Sequence, residues 1–212
     1  MPVIGVCNQK GGSGKSSTAV HLACWLQSQS DSVFVIDSDG QRTSSLWLSS
    51  LSQPVPVEVI PDPNVLLERL PILATEHQWL IVDAPGTLAE ATRAIVLWSD
   101  LVLIPCQPTG VDLASASDTV RLIKQARAIR KGEPQAAIFL NRAIKGTRLK
   151  QEAFTVLKAV PDLNVLGEVI HQRQIIADAF GQGATVFDLT GDAATQAQKE
   201  YSQLFKTILK AL

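Results

Sequence analysis

The chain has 212 residues, 46% of them hydrophobic and 18% charged, so it can bury a sizeable core of its own. A formal net charge of −1 argues against a freestanding nucleic-acid binder, because such proteins are usually more basic. No apolar run reaches the length of a membrane span, and no signal peptide is visible. The three cysteines are far apart, which predicts buried thiols in a reducing compartment.

Apolar runs alternate with helical patterns along the whole chain, so we expect a single domain over residues 1–212. The predicted strands are Val3–Cys7, Val33–Asp37, Val57–Ile60, Trp79–Asp83, Leu101–Pro105, Ala136–Asn141 and Val165–Ile170. The predicted helices are Lys15–Ser28, Leu66–Thr75, Glu90–Trp98, Leu113–Arg130, Lys150–Ala159, Gln174–Gly181 and Ala194–Ala211. This alternation predicts an α/β fold, a doubly wound, mostly parallel sheet with helices on both faces.

A glycine-rich loop, Lys10-Gly11-Gly12-Ser13-Gly14-Lys15-Ser16, lies between the first predicted strand and the first predicted helix. In that setting backbone N–H groups and a helix N-terminus can hold phosphate. Lys15 would reach the β- and γ-phosphates, and the Ser16 hydroxyl would bind Mg²⁺. The alternative is a glycine-rich turn whose lysines are merely solvated, but the position between a strand and a helix favours the phosphate loop.

This loop resembles the deviant Walker A box of the ParA/MinD family of P-loop ATPases, because Gln9 replaces the usual first glycine and a second lysine opens the loop. The resemblance implies that ATP and Mg²⁺ are the cofactors and that Lys10 reaches across an ATP-bound homodimer to the partner's nucleotide. The nucleotide-binding residues implied for this loop are Lys10, Gly11, Gly12, Ser13, Gly14, Lys15, Ser16 and Ser17. Lys10 and Lys15 are expected to be catalytic.

Two strands end in carboxylates that would face the phosphate site, since ligands of parallel sheets bind beyond the carboxyl ends of strands. The segments are Asp37-Ser38-Asp39-Gly40-Gln41 and Asp83-Ala84-Pro85-Gly86. The family resemblance implies that Asp39 is catalytic and orients or activates the attacking water. It also implies that Asp37 and Asp83 support Mg²⁺ through water, beside Ser16. Gly40 replaces the family's usual proline, which leaves the stiffness of this switch open; turn-forming or solvated aspartates are the alternative.

Two later strand ends complete the resemblance, which covers nearly the whole chain. In the family the segments matching Asn141-Arg142 and His171-Gln172 bind or enclose adenine, so these four residues are expected to bind the base. The run Gly183–Phe187 matches the family's Gly-x-x-Val-Phe signature.

Basic residues form two groups. Lys145, Arg148 and Lys150 lie on a loop that enters a helix, and the predicted DNA-binding set adds Arg173 and Lys199 from later segments. The long predicted helix places Arg121, Lys124, Arg127 and Arg130 on roughly one side. For both groups a solvated helix face is the competing interpretation.

The family resemblance implies a ParA-type positioning ATPase of the bacterial cytoplasm, associated with the nucleoid. An ATP-bound dimer binds DNA non-specifically, and a cargo-bound adaptor, ParB-like or McdB-like, stimulates hydrolysis. The cargo would be a plasmid or chromosome partition complex, or a protein body such as the carboxysome. Small relatives called McdA control the spacing of carboxysomes. Larger family members have an extra N-terminal helix-turn-helix domain that reads operator DNA; this chain starts directly with its first strand, so we do not expect autoregulation by that route.

Two other functions stay open at this point. A MinD-like membrane-cycling ATPase would use the C-terminal segment, but its apolar residues form one stripe that is typical of packing on a sheet. We therefore expect no stable membrane association. The stripe comprises Ala194, Ala197, Tyr201, Leu204, Phe205, Ile208, Leu209 and Leu212. A metabolic enzyme of the same superfamily would carry an added substrate domain or paired cysteines, and neither is visible.

Overall fold

Seven strands form one parallel sheet in the computed structural model of the protein, which describes residues 2–87, 90–161, 163–210 and 212. The strands are β1 (Val3–Val6), β2 (Val33–Asp37), β3 (Val57–Val59), β4 (Trp79–Asp83), β5 (Leu101–Cys106), β6 (Gln135–Ala143) and β7 (Asn164–His171). Their order across the sheet is β3-β2-β4-β1-β5-β6-β7, and every neighbouring pair is parallel. All seven predicted strands are confirmed, and no end differs by more than two residues.

Eight α-helices lie among the described residues and cover both faces of the sheet. They are α1 (Lys15–Gln27), α2 (Thr43–Ser50), α3 (Pro63–Glu76), α4 (Glu90–Trp98), α5 (Gly110–Ile129), α6 (Arg148–Lys158), α7 (Gln174–Asp178) and α8 (Asp192–Leu209). The doubly wound α/β prediction is therefore confirmed. The helix predicted over Gln174–Gly181 is shorter, because the chain tightens into a 3-10 turn at Phe180–Gln182. The predicted end of the last helix, Ala211, lies outside the described residues.

Strand residues alternate between two cores. One face packs against α3, α4, α5 and α6, through residues such as Leu70 and Ile123. The other packs against α1, α2 and α8, through residues such as Leu22 and Phe205. Because β1 lies in the middle of the sheet, the loop that follows it emerges with strands on both sides.

Six of the eight residues of the predicted apolar stripe are buried, whereas Leu209 is only partly buried and Leu212, beyond the end of α8, is 46% exposed. Ala194, Ala197, Tyr201, Leu204, Phe205 and Ile208 are all buried. All of them except Ala194 join the core that also contains α1 and the inner residues of β7. Within the described part of the chain, we find no helix with both the length and the apolar character needed to cross a bilayer.

A buried histidine joins α1 to α2 and α8. The ring of His21 stacks on Tyr201 with the ring centroids 4.4 Å apart and meets the edge of Trp47 at 5.5 Å. Its Nδ1 lies 2.7 Å from the Ser17 carbonyl oxygen, and its Nε2 accepts a hydrogen bond from the Val186 N–H at 3.2 Å. This pairing requires the neutral ring with the proton on Nδ1. Burial lowers the pKa of His21 to about 4.

We predict that His21 makes the protein less stable in mild acid. In the unfolded chain the histidine takes up a proton below its ordinary pKa of about 6.5, whereas the folded chain resists protonation until about pH 4. The stabilising contribution is thus present above about pH 6.5 and is lost as pH falls toward 4, by at most about 3 kcal/mol. Urea unfolding at several pH values measures it.

The variant His21→Phe keeps an aromatic ring but cannot titrate. We expect its free energy of unfolding to vary less between pH 6.5 and pH 4 than that of the original chain. Equal pH slopes for the two proteins would contradict the assignment, whatever the absolute stability of the variant.

Candidate functional site

The loop after β1 folds into a cradle of backbone N–H groups at the N-terminus of α1. Gly12 and Gly14 have φ of 77° and 97°, a left-handed conformation that glycine adopts without strain. The first turn of α1 contains no acidic residue, so its N–H groups and positive dipole end are available to an anion. The Gly12 carbonyl is held from outside the loop, by Gln107 Nε2 at 2.8 Å and Arg142 Nη1 at 3.1 Å.

Lys15 is buried beneath this loop. Its ammonium donates to the Lys10 carbonyl oxygen at 3.2 Å. Burial lowers the pKa of Lys15, while the nearby carboxylates Asp83 and Asp39 act in the opposite direction. The structure thus brings together Lys15, Asp39 and Asp83, three of the residues predicted from the sequence. They lie near the carboxyl ends of β1, β2 and β4, respectively.

Asp83 is fully buried at the end of β4, and among the described residues neither of its carboxylate oxygens has a hydrogen-bond partner of ordinary geometry. Burial raises the pKa of Asp83 to about 7, and the nearby Ser16 and Ser44 hydroxyls oppose that rise. Asp37 pairs with Asp83 in the register of β2 and β4, and its charge raises the same pKa. A buried carboxylate without a partner beside a hydroxyl is an oxygen donor set that suits Mg²⁺. Ser16, Asp37 and Asp83, the three predicted metal residues, therefore fit that ion.

The segment after β2 is a tight turn held by its own aspartates. Asp37 accepts hydrogen bonds from the backbone N–H groups of Asp39, at 3.1 Å, and Ser45, at 2.8 Å. Asp39 accepts from the Gln41 N–H at 2.9 Å. Asp37 therefore also fixes the start of α2, a helix that the sequence patterns do not predict.

Lys10, the lysine that opens the loop, forms an ion pair within its own subunit. Its Nζ lies 2.6 Å from the buried carboxylate of Asp112, at the start of α5. The Thr109 hydroxyl donates to the same carboxylate oxygen. The Lys10 side chain is 35% exposed, so its outer side faces solvent. The neighbouring Val111 is 70% exposed, which leaves an apolar group uncovered next to this pair.

A cavity of about 320 Å³ opens beside the phosphate loop. Its lining includes Gly14, Ser17 and the four predicted base-binding residues Asn141, Arg142, His171 and Gln172. Trp47, Phe180 and Tyr201 also line it, and sequence analysis did not assign them to the site. Tyr201 approaches the loop directly, because its hydroxyl lies 3.4 Å from Ser17 Oγ. Mixed apolar walls with a few polar groups are typical of a nucleobase pocket.

Asn141 contacts the phosphate loop as well as the cavity. Its Nδ2 donates to the Ser13 carbonyl oxygen at 2.8 Å, and its Oδ1 accepts from the Arg142 N–H at 3.0 Å. Both ends of the amide therefore have protein partners, so Asn141 supports the loop in addition to lining the pocket.

The basic residues divide into exposed and occupied groups. Lys145, Arg148 and Lys199 are exposed, and Lys150 is half-buried. Lys145 Nζ lies 3.3 Å from Gln196 Oε1, which brings the loop after β6 beside α8. Gln196 and Lys199 are three residues apart and so are neighbours on the helix surface.

Arg173 does not belong to that exposed group, which corrects its inclusion among the predicted DNA-binding residues. Its side chain is 10% exposed, and its guanidinium binds Glu200 through both terminal nitrogens, at 2.5 and 2.7 Å. Directly after α5, Arg130 is also occupied, because it donates to the carbonyls of Leu97 and Ser99. Arg127 donates to the Pro134 carbonyl at 2.9 Å.

Comparisons with known proteins agree with this geometry. Residues 4–186 match the model of the CobQ/CobB/MinD/ParA nucleotide binding domain. The maintenance of carboxysome distribution protein A of Halothiobacillus neapolitanus is 26% identical over 212 residues, which cover 97% of this chain and 95% of that protein. Protein ParA of Rhizobium radiobacter is 26% identical over 162 residues, 75% of this chain and 72% of that protein.

A solved structure shares the fold. It is a variant of McdA from Cyanothece in complex with ATP, and it superposes with a TM-score of 0.81 at 18% identity, covering 98% of this chain and 96% of that one.

We predict that Gly14→Ala damages the loop while Gly11→Ala does not. A Cβ at Gly14 would lie 2.0 Å from Asn141 Nδ2 and would sit in a left-handed backbone, whereas a Cβ at Gly11 meets nothing within 4 Å. Backbone strain of about 1–2 kcal/mol and the loss of a buried hydrogen bond should lower the Tm of nucleotide-free Gly14→Ala by roughly 5–10 °C. Calorimetry of both variants tests this, and equal Tm values would contradict it.

We predict that Gly40→Pro stiffens the turn after β2. The Arg42 N–H donates to the Asp39 carbonyl at 3.0 Å, and neither Gly40 nor Gln41 has a positive φ, which defines a type I turn with Gly40 at its second position. Proline is favoured there, and a Cβ at Gly40 meets nothing within 4 Å. The substitution should raise the free energy of unfolding by about 0.4–1 kcal/mol. Gly40→Ala is the control; a lower stability for the proline variant than for the alanine variant would refute the assigned turn type.

Proposed function

The chain belongs to the CobQ/CobB/MinD/ParA family of nucleotide-binding domains, and we propose that it is a ParA-type ATPase that positions or segregates an intracellular cargo. One observation carries the proposal: the buried ammonium of Lys15 lies beneath a phosphate loop together with the buried carboxylate of Asp83, for which the described part of the chain supplies no hydrogen bond of ordinary geometry. Such an arrangement suits a ligand that brings both negative charge and a divalent cation. ATP and Mg²⁺ are that ligand pair, and the protein is an ATPase.

The residues of the site have separate roles in this proposal. The backbone of Gly11–Ser16 and the ammonium of Lys15 bind the phosphates, and the cavity beside Asn141 and His171 takes the base. Ser16, Asp37 and Asp83 hold Mg²⁺, which offsets negative charge on the phosphates when bound. Asp39 holds and orients the attacking water.

The proposed active form is a dimer. Lys10 exchanges Asp112 for the nucleotide of the second subunit, and the exposed side chain of Val111 becomes covered in the same step. A lysine that is already 35% exposed can make that exchange by rotating its side chain. An adaptor on the cargo, ParB-like or McdB-like, then stimulates hydrolysis and releases the subunits.

DNA binding is the proposed output of the dimer, and it would associate the protein with the nucleoid. The exposed residues Lys145, Arg148 and Lys199, with Lys150 beside them, supply the contacts. The whole chain carries a charge of −1, so one subunit has a weak overall attraction to DNA and two joined patches have a stronger one. Binding through phosphates is indifferent to sequence and falls with salt, with a slope of about −0.9 per phosphate neutralised.

We predict that DNA binding requires ATP, Lys10 and the basic patch. The measurement is gel retardation of two unrelated duplexes with ATP, ADP and no nucleotide across a salt series, with dimerisation followed by light scattering. Lys10→Ala should bind ATP but neither dimerise nor retain DNA. The double variant Arg148→Glu with Lys150→Glu should dimerise with ATP yet lose DNA.

Each arm can overturn a different part of the proposal. Equal DNA binding in all three nucleotide states would exclude ATP gating, and a strong preference for one duplex would exclude non-specific contacts. Sedimentation with liposomes but not with DNA would favour a MinD-like membrane ATPase. The charge reversal Lys124→Glu on α5, outside the proposed patch, is the matched control and should leave DNA binding nearly unchanged.

A further inference from the structure

The wall of the base cavity is held by one carboxylate on the C-terminal helix. His171 is the last residue of β7, Gln172 and Arg173 follow it, and all three line the cavity. Glu200, on α8, accepts hydrogen bonds from the His171 backbone N–H at 3.0 Å and from His171 Nδ1 at 2.8 Å. It also accepts from Arg173 Nη1 at 2.5 Å and Nη2 at 2.7 Å.

These four contacts use both oxygens of Glu200. Two come from a guanidinium that approaches in a fork, the strongest arrangement available to a carboxylate. Their effect outweighs partial burial, so the pKa of Glu200 lies below its usual value and the group is ionised at neutral pH. An ionised carboxylate only accepts, so the proton of the His171–Glu200 contact is on Nδ1 of the ring.

Glu200 is rigidly placed because its helix is. Tyr201, the next residue, is fully buried and stacks on His21 of α1. One turn earlier, Gln196 lies on the same side of α8 and contacts Arg173 Nη2 at 3.4 Å. The segment from His171 to Arg173 is thereby bound to α8. The same helix contacts the start of α1, because the Tyr201 hydroxyl lies close to Ser17.

We propose that Glu200 is a positioning residue for nucleotide binding, which fixes the segment from His171 to Arg173 as the wall of the base pocket. This inference rests on the proposed ATP site and identifies what shapes its base-binding half. Glu200 does not itself line the cavity and acts through His171 and Arg173.

A change at Glu200 should weaken recognition of the base and leave recognition of the phosphates intact. Glu200→Gln preserves the shape of the side chain but replaces one carboxylate oxygen by an NH₂ group. That group would face the N–H donors that the oxygen accepts from in the original chain. The wall should then lose its fixed position. We expect the Kd for Mg·ADP to rise roughly 10-fold, and the Kd for magnesium tripolyphosphate, which has no base, to change less than about twofold.

The experiment is isothermal titration of the full chain with each of these two probes. Glu168→Gln is the matched control, because Glu168 accepts from the Thr207 hydroxyl of the same helix at 2.7 Å and does not line the cavity. It should bind both probes as the original chain does. The rate constant of single-turnover hydrolysis at saturating ATP should be nearly unchanged in Glu200→Gln. The ATP concentration that gives half of this rate should rise.

The outcomes separate this inference from the function on which it rests. Failure of the original chain to bind Mg·ADP would overturn the proposed function. Normal binding by the original chain, with both probes equally affected or unaffected in Glu200→Gln, would overturn the role of Glu200 alone. Arg173→Lys, which keeps the charge but loses the fork, provides a milder second variant. It should show a smaller loss of the same kind, with the Kd for Mg·ADP raised more than the Kd for tripolyphosphate, and an equal loss for both would also contradict the proposal.

Discussion

The burial of Lys15 and Asp83 next to each other, under a backbone loop, is the constraint on which the site depends. Neither group has an ideal partner in the part of the chain that the structure describes: Lys15 donates to a loop carbonyl at 3.2 Å, and the oxygens of Asp83 have no ordinary hydrogen bond there. Burying charged groups costs free energy unless they are paired. The central position of β1, with β4 at its side, places both groups at the same edge of the sheet. The surrounding fold must offset this cost until a ligand supplies the missing charges.

Much of the fold and of the phosphate site could be predicted from the sequence because both depend on local patterns. Continuous apolar runs indicate buried parallel strands, and the loop from Lys10 to Ser16 carries its chemistry in consecutive residues. Local patterns do not predict helix α2, because Thr43–Ser50 contains several serines and lacks an apolar stripe. Its position is set instead by a distant carboxylate, because Asp37 accepts the N–H of Ser45. A pattern within the helix cannot reveal a cap supplied by another element.

The base pocket and the basic surface depended on contacts between distant segments, which the sequence does not show. The charge of Arg173 and its place on a later segment predict a DNA surface, whereas its partner Glu200 lies 27 residues later in the chain. Trp47 and Tyr201 reach the cavity from α2 and α8, and in the sequence they look like ordinary core aromatics. For Lys10 the family resemblance gave a role in a dimer, and the structure adds the partner it has in one subunit, Asp112.

Helix α8 shows how one segment can serve several needs at once. Its apolar stripe is buried against α1 and β7, so the surface that a membrane-binding helix would present is already used for packing. Beside the stripe, Gln196 and Glu200 hold the segment after β7, and Lys199 remains exposed on the outer side. A helix packed this firmly gives Glu200 a fixed position, and a fixed carboxylate can in turn fix the flexible side chains of His171 and Arg173. The packing of α8 in the hydrophobic core therefore fixes the position of the pocket wall.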